Sequence, residues 1–206
     1  MRVTTDGRQS VSFATTYIDS WRRATAVVNG AAIDQAVRVL AEARRRDAMV
    51  WTAGNGGSGT LASHLAIGLT LNTRRSGGRP FRASCLGADA AMLSAAANDF
   101  GAENALRVIF ECNARSGDVL CVFSVSGESV NVNNAIVAAT EIGVPVIALV
   151  GSHESTAARL ADHPIVLGSL EPGIAEDLAS AIMHAMYCTF MYEDQTNPPA
   201  EFANAS

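Results

Sequence analysis

This 206-residue chain reads as an α/β protein with a parallel sheet covered by helices on both faces, and three observations carry that reading. Five short apolar runs alternate with helical patterns along most of the sequence. The runs are almost continuously apolar, as in strands buried on both sides, rather than alternating. Glycine- and serine-rich turns stand where a strand gives way to a helix, the place where open parallel sheets hold ligands.

In chain order, residues 1–10 are a polar leader. Helical patterns follow over 11–28 and 31–46. The second places Ile33, Val37, Leu40 and Ala41 on one stripe and three arginines in its last turn. Strand runs are AMVW (48–51), FRASCL (81–86), DVLCVFS (118–124), PVIALV (145–150) and HPIVLG (163–168). Helical patterns lie near 58–71, 89–97, 102–114, 129–142, 154–161 and 173–192. One domain over 11–193 is expected, with a flexible tail over 194–206, where Pro-Pro occurs and periodicity is absent. No internal repeat is present.

Hydrophobic residues make up 49% of the chain and charged residues 17%, a composition that folds. The formal net charge of −5 argues against a nucleic-acid surface, which needs a basic face to displace counterions. No stretch approaches the ~20 apolar residues of a membrane span, and the polar start is no signal peptide. Cys85, Cys112, Cys121 and Cys188 form no CxxC pair, so buried reduced thiols and a cytoplasmic location are expected.

Two loops carry the chemistry. Gly54-Asn55-Gly56-Gly57-Ser58 links a strand to a helix. Its glycines admit close approach of an anion, and Ser58 is placed to cap the helix. The second loop, Ser124-Val125-Ser126-Gly127-Glu128-Ser129, offers three hydroxyls at another helix start. Together they make a phosphate site that needs neither lysine nor metal. Gly54-x-Gly56-x-x-Gly59 also matches the dinucleotide fingerprint. The acid expected about 20 residues on is missing, however, and arginines 74 and 75 stand in that stretch, so no nucleotide cofactor is expected.

These loops, together with His64, the AANDFG segment at 96–101 and a strand ending ALVG, resemble the sugar isomerase (SIS) domain family. Within it they are most similar to sedoheptulose-7-phosphate (phosphoheptose) isomerases and their non-catalytic relative, the DnaA initiator-associating protein. The resemblance spans about residues 15–192. It implies a three-layer αβα sandwich with a five-stranded parallel sheet, two N-terminal helices and a long C-terminal helix. It also implies a phosphorylated sugar as ligand and a homotetramer with its sites between subunits. Carried over by position, Ser124, Ser126 and Ser129 contact phosphate. Asn55, Gly56, Gly57 and Ser58 line the sugar, and Asp99 stands near it. Val125 takes a place where threonine is common, and Glu128 one where asparagine is usual.

Aldose–ketose isomerisation moves a proton between adjacent carbons and needs a base and an acid. The resemblance places the acid/base partner at His184; with the family's glutamate missing, Glu176 is expected as the general base or a zinc ligand, and His64 as the residue that orients substrate or binds metal. The glutamate that its members carry four residues after the helix histidine is here Gly68, and their glutamine is Glu176. Where such isomerases bind zinc, the matching ligands are His64, Glu176 and His184. Eight helical residues between the last two span ~12 Å, so either Glu176 sits at an irregular helix start or the ligands come from different subunits. The function expected is thus a phosphosugar aldose–ketose isomerase. The alternative is a non-catalytic phosphosugar-binding or protein-interaction module, which Gly68 favours and His184 opposes.

Overall fold

The computed structural model describes residues 12–26, 28–168 and 170–192, and the expected leader (1–10) and tail (194–206) lie outside them. Helix α1 (Phe13–Thr25) starts at Ser12, whose side chain accepts a hydrogen bond from the Thr15 amide. Helix α2 (Gly30–Arg46) is capped in the same way by Asn29, and Arg44, Arg45 and Arg46 fill its last turn, where they complement the helix dipole. There follow β1 (Met49–Gly54), α3 (Gly56–Ile67), a π-helical turn (Gly68–Asn72), α4 (Thr73–Arg75) and β2 (Arg82–Cys85). Next come α5 (Ala90–Phe100), α6 (Ala105–Asn113), β3 (Val119–Ser124), α7 (Val130–Glu141) and β4 (Val146–Val150). The last elements are α8 (Thr156–Leu160), β5 (His163–Val166) and the long α9 (Pro172–Tyr192).

The five strands are all parallel, in the order β2-β1-β3-β4-β5. Alternate strand residues feed two cores. Cys121, Phe123, Ile147 and Leu149 pack with Leu40, Leu65, Met183 and Phe190 beneath α2, α3 and α9. Leu120, Val122, Val146 and Ala148 pack with Leu106, Phe110 and Ile136 beneath α6 and α7. This period-2 division is what a double-faced sheet requires. The expected three layers, five strands, two leading helices and long last helix are all present.

Strand order reverses between β1 and β3: the chain moves outward to β2 on one side and to β4 on the other. That switch point opens a crevice beyond the carboxyl ends of β1 and β3. Gly54 pairs in register with Phe123, so the glycine loop after β1 and the serine loop after β3 lie side by side.

Three details depart from expectation. β1 runs on to Gly54, and α3 starts at Gly56, ahead of Ser58. The helix expected to end near 71 changes to π geometry at Gly68. The four thiols are free, but Cys112 is exposed while Cys121 is buried; complete burial pushes the Cys121 thiol up to about 12 and makes it inert. Among the described residues no helix is long and apolar enough to cross a membrane.

Candidate active site

At Gly54 a side chain is impossible: a Cβ would lie 2.6 Å from the Ser58 carbonyl oxygen and 2.9 Å from that of Phe123. The chain therefore turns tightly from β1 into α3, and the first amides of α3 have no intrahelical partners. Asn55, not Ser58, occupies the N-cap position, and its side chain makes no cap bond. Its amide pairs instead with Asn131 on α7, in reciprocal hydrogen bonds of 2.8 and 2.9 Å. Ser58 is buried inside the first turn, which corrects the expectation that it caps the helix.

The serine loop is held from within. The Gly127 amide donates to the Ser124 hydroxyl (3.1 Å) and the Glu128 amide to the Ser126 hydroxyl (3.2 Å). Gly127 has φ +67°, and a Cβ there would run into Ser155, so only glycine fits. Ser129 is the N-cap residue of α7 with no side-chain cap bond, which leaves its hydroxyl available. Behind the loop, the buried Asn133 donates to the Gly127 carbonyl while its own Oδ1 has no partner. Glu128 is engaged outside its own loop: its carboxylate accepts from the Thr156 amide (2.8 Å) and hydroxyl (2.7 Å). Those bonds, with Arg159 nearby, hold its carboxyl below the usual range. Glu128 thus satisfies the first amide of α8, next to the N-cap residue Ser155.

Between the glycine loop, the end of β2 and α7 lies a cavity of about 520 Å³. Asn55, Gly56 and Asn131 close one end, and Thr60, Ser63, His64 and Ile67 run along its α3 wall. Positions 60, 63, 64 and 67 share one helical face, a signal present in the sequence but obscured by the uniformly small residues around it. Asp99 does not reach this wall; it is exposed near the end of α5, where Asn98 donates to it.

Helices α3 and α9 run side by side in the same direction. Glu176 lies against Gly57, where a Cβ would stand 2.6 Å from its Oε2. Two turns on, the His64 and His184 rings meet edge to face with centroids 4.9 Å apart. One turn further, the Tyr187 ring covers Gly68: a Cβ on Gly68 would lie 2.7 Å from Tyr187 Cε1 and Cγ. Tyr187 also contacts both histidines, at 6.1 and 5.3 Å between centroids. The space a residue-68 side chain would occupy is therefore filled by a tyrosine, which sequence reasoning did not single out.

Burial first, and the charge of His184 second, lower the His64 pKa, so the ring is neutral near pH 7. His184 Nδ1 sits 2.7 Å from the Ser180 carbonyl oxygen. A carbonyl only accepts, so Nδ1 carries a proton and donates this bond. Burial raises the Tyr187 pKa, which keeps the phenol protonated.

Glu176 does not join the two histidines. α9 is continuous from Pro172 to Tyr192, so no irregular start brings Glu176 down to His184, and the ~12 Å helical rise between them stands. Among the described residues no three His, Cys, Asp or Glu side chains are grouped to hold a metal. His64, Glu176 and His184 of this chain therefore do not fit a single zinc ion.

Residues 15–151 match the SIS domain family. The phosphoheptose isomerase of Chlorobium phaeovibrioides is 39% identical over 140 residues, which cover 68% of this chain and 66% of that one. That of Mycobacterium tuberculosis is 33% identical over 168 residues, 79% of this chain and 84% of its own. A solved phosphoheptose isomerase from Francisella tularensis superposes with a TM-score of 0.80 at 25% identity, covering 89% of this chain and 98% of that one. With the paired loops at the switch point, these likenesses agree: the chain belongs to the SIS domain family.

Proposed function

We propose that the protein is a phosphosugar ketol-isomerase acting on a sedoheptulose 7-phosphate-like substrate. The observation that carries this is His64 on the wall of a cavity bounded by the glycine loop, with the His184 ring packed against His64 and the serine loop lying next to the glycine loop. The phosphate is bound by Ser124, Ser126 and Ser129 and by the first amides of α3 and α7. The carbon chain then lies along Thr60 and Ser63 and presents its carbonyl end to the histidines.

Neutral His64 takes the proton from the carbon beside the carbonyl and returns it to the neighbouring carbon. His184, oriented by Ser180, moves a proton between the two oxygens of the enediol. Glu176 stands at the cradle end, beside Gly57, and acts on ligand placement rather than on the reacting carbons. The proton path uses imidazoles alone; a zinc on them would need a third ligand from a second subunit.

A homotetramer belongs to the same proposal. Exposed Phe13 and Ile18 on α1, and Ile67 and Leu71 beside the site, are apolar surface that a neighbouring subunit would cover. A phosphorylated substrate and four free thiols suit the cytoplasm.

The test is exchange in deuterated water with sedoheptulose 7-phosphate. Deuterium is expected at the carbon that gains a proton, and its entry is expected to be lost in His184→Ala. Gly68, covered by Tyr187, favours a second reading, a phosphosugar-binding module without chemistry. Saturable binding with no exchange would establish that reading and overturn the first.

A further inference from the structure

A second cavity, of about 500 Å³, opens at the opposite end of the sheet, where β1 and β2 begin and the turn into β3 passes. Strand β1 separates it from the candidate active site by ~17 Å. Its walls carry three guanidinium groups, from Arg46, Arg82 and Arg115, with the Trp51 ring and the Ser116 hydroxyl.

The carboxylates within reach are already engaged. Asp118 is buried, and its two oxygens accept from the Met49 amide (2.9 Å), the Trp51 indole (3.1 Å) and the Arg115 amide (2.9 Å). Asp47 pairs with Arg79 at 2.9 Å. Arg82 and Arg115 are pinned through Nη1 to main-chain carbonyls, those of Asp47 and Ala114. Each is thereby oriented with further N–H groups unspent. Arg46 shares a 3.4 Å contact with Glu42 and a 3.4 Å bond to the Gly117 carbonyl. The chain is acidic overall, yet this cavity gathers oriented forks that match phosphate oxygens.

We infer that this cavity is a second anion site, one that binds a phosphate or diphosphate group between Arg82 and Arg115 beside Trp51. The cavity has room for a phosphorylated molecule larger than inorganic phosphate, with its anionic end on the arginines.

Trp51 reports on it directly. The chain has two tryptophans, so Trp21→Phe leaves Trp51 as sole emitter. Titrating this full-length variant with inorganic pyrophosphate is expected to give a saturable change in emission. Arg82→Gln and Arg115→Gln should each weaken it about tenfold or more, as loss of a charge-assisted bond implies. Arg82→Lys and Arg115→Lys, which retain charge, should weaken it less. Adding Ser126→Ala and Ser129→Ala should leave the titration in place. An absent or unsaturable change overturns the inference. So does one that survives both glutamine substitutions, or one that vanishes with the serines. The isomerase reading is untouched by any of these results.

Discussion

Gly68→Ala isolates the most unusual contact in the site. Gly68 has ordinary right-handed helical angles, φ −58° and ψ −48°, so alanine is acceptable to the backbone and would ordinarily stabilise a helix by about 1 kcal/mol. Here the added methyl would meet Tyr187 at 2.7 Å, and Tyr187 is 5% exposed, packed in the same core as Met183, Met186 and Phe190. Overpacking of this kind costs about 1–3 kcal/mol. The net result is a loss of up to about 2 kcal/mol, and at about 2–4 °C per kcal/mol for a chain this size the melting temperature falls by several degrees. With Tyr187→Ala in the background the clash is gone, and Gly68→Ala should become stabilising by about 1 kcal/mol. The assay is a double-mutant cycle by urea denaturation, with an expected coupling of about 1–3 kcal/mol. Gly68→Ala should also lower kcat with little change in KM, because the displaced ring touches both histidines. Equal effects of Gly68→Ala in the two backgrounds would refute the reasoning.

Three further outcomes are expected. Glu176→Gln should change KM more than kcat, while His184→Ala should reduce kcat by about 10²-fold or more; equal losses of kcat would make Glu176 the base instead of His64. Acidification should act through His64. Its folded-state pKa lies below that of the unfolded chain, so the unfolded state takes up protons first. The stability it contributes is complete above about pH 6.5 and declines as pH falls towards the lowered value, and the acid limb of kcat/KM should likewise lie below that pH; a limb above it would contradict the neutral base. Gly127→Ala should cost at least about 1–2 kcal/mol from its left-handed backbone alone. It should also raise KM for the phosphosugar by deforming the serine loop, as steady-state kinetics and thermal melting will show.

The architecture was legible because it is written in local patterns. Apolar runs placed every strand to within a few residues, and the two loops announced an anion site through glycines and serines at strand ends. Gly68 was legible as a departure, and the eight-residue spacing of Glu176 and His184 already foretold their separation on a straight helix. What escaped notice depends on partners distant in sequence. Nothing near residue 68 signals a π-helical turn, because the ring that demands the missing Cβ is Tyr187. Ser58 read as a cap because the Asn55–Asn131 bridge joins segments 76 residues apart. The role of Glu128 was not legible because its partner, Thr156, starts a different helix.

The Asn55–Asn131 bridge has a further consequence. Each amide carries two donors and an acceptor with two lone pairs, and the reciprocal pair uses one donor and one lone pair on each side. One N–H and one lone pair remain on each asparagine, at the wall of the larger cavity. The clasp that fastens the glycine loop to α7 therefore offers a donor and an acceptor to whatever occupies the cavity while staying closed.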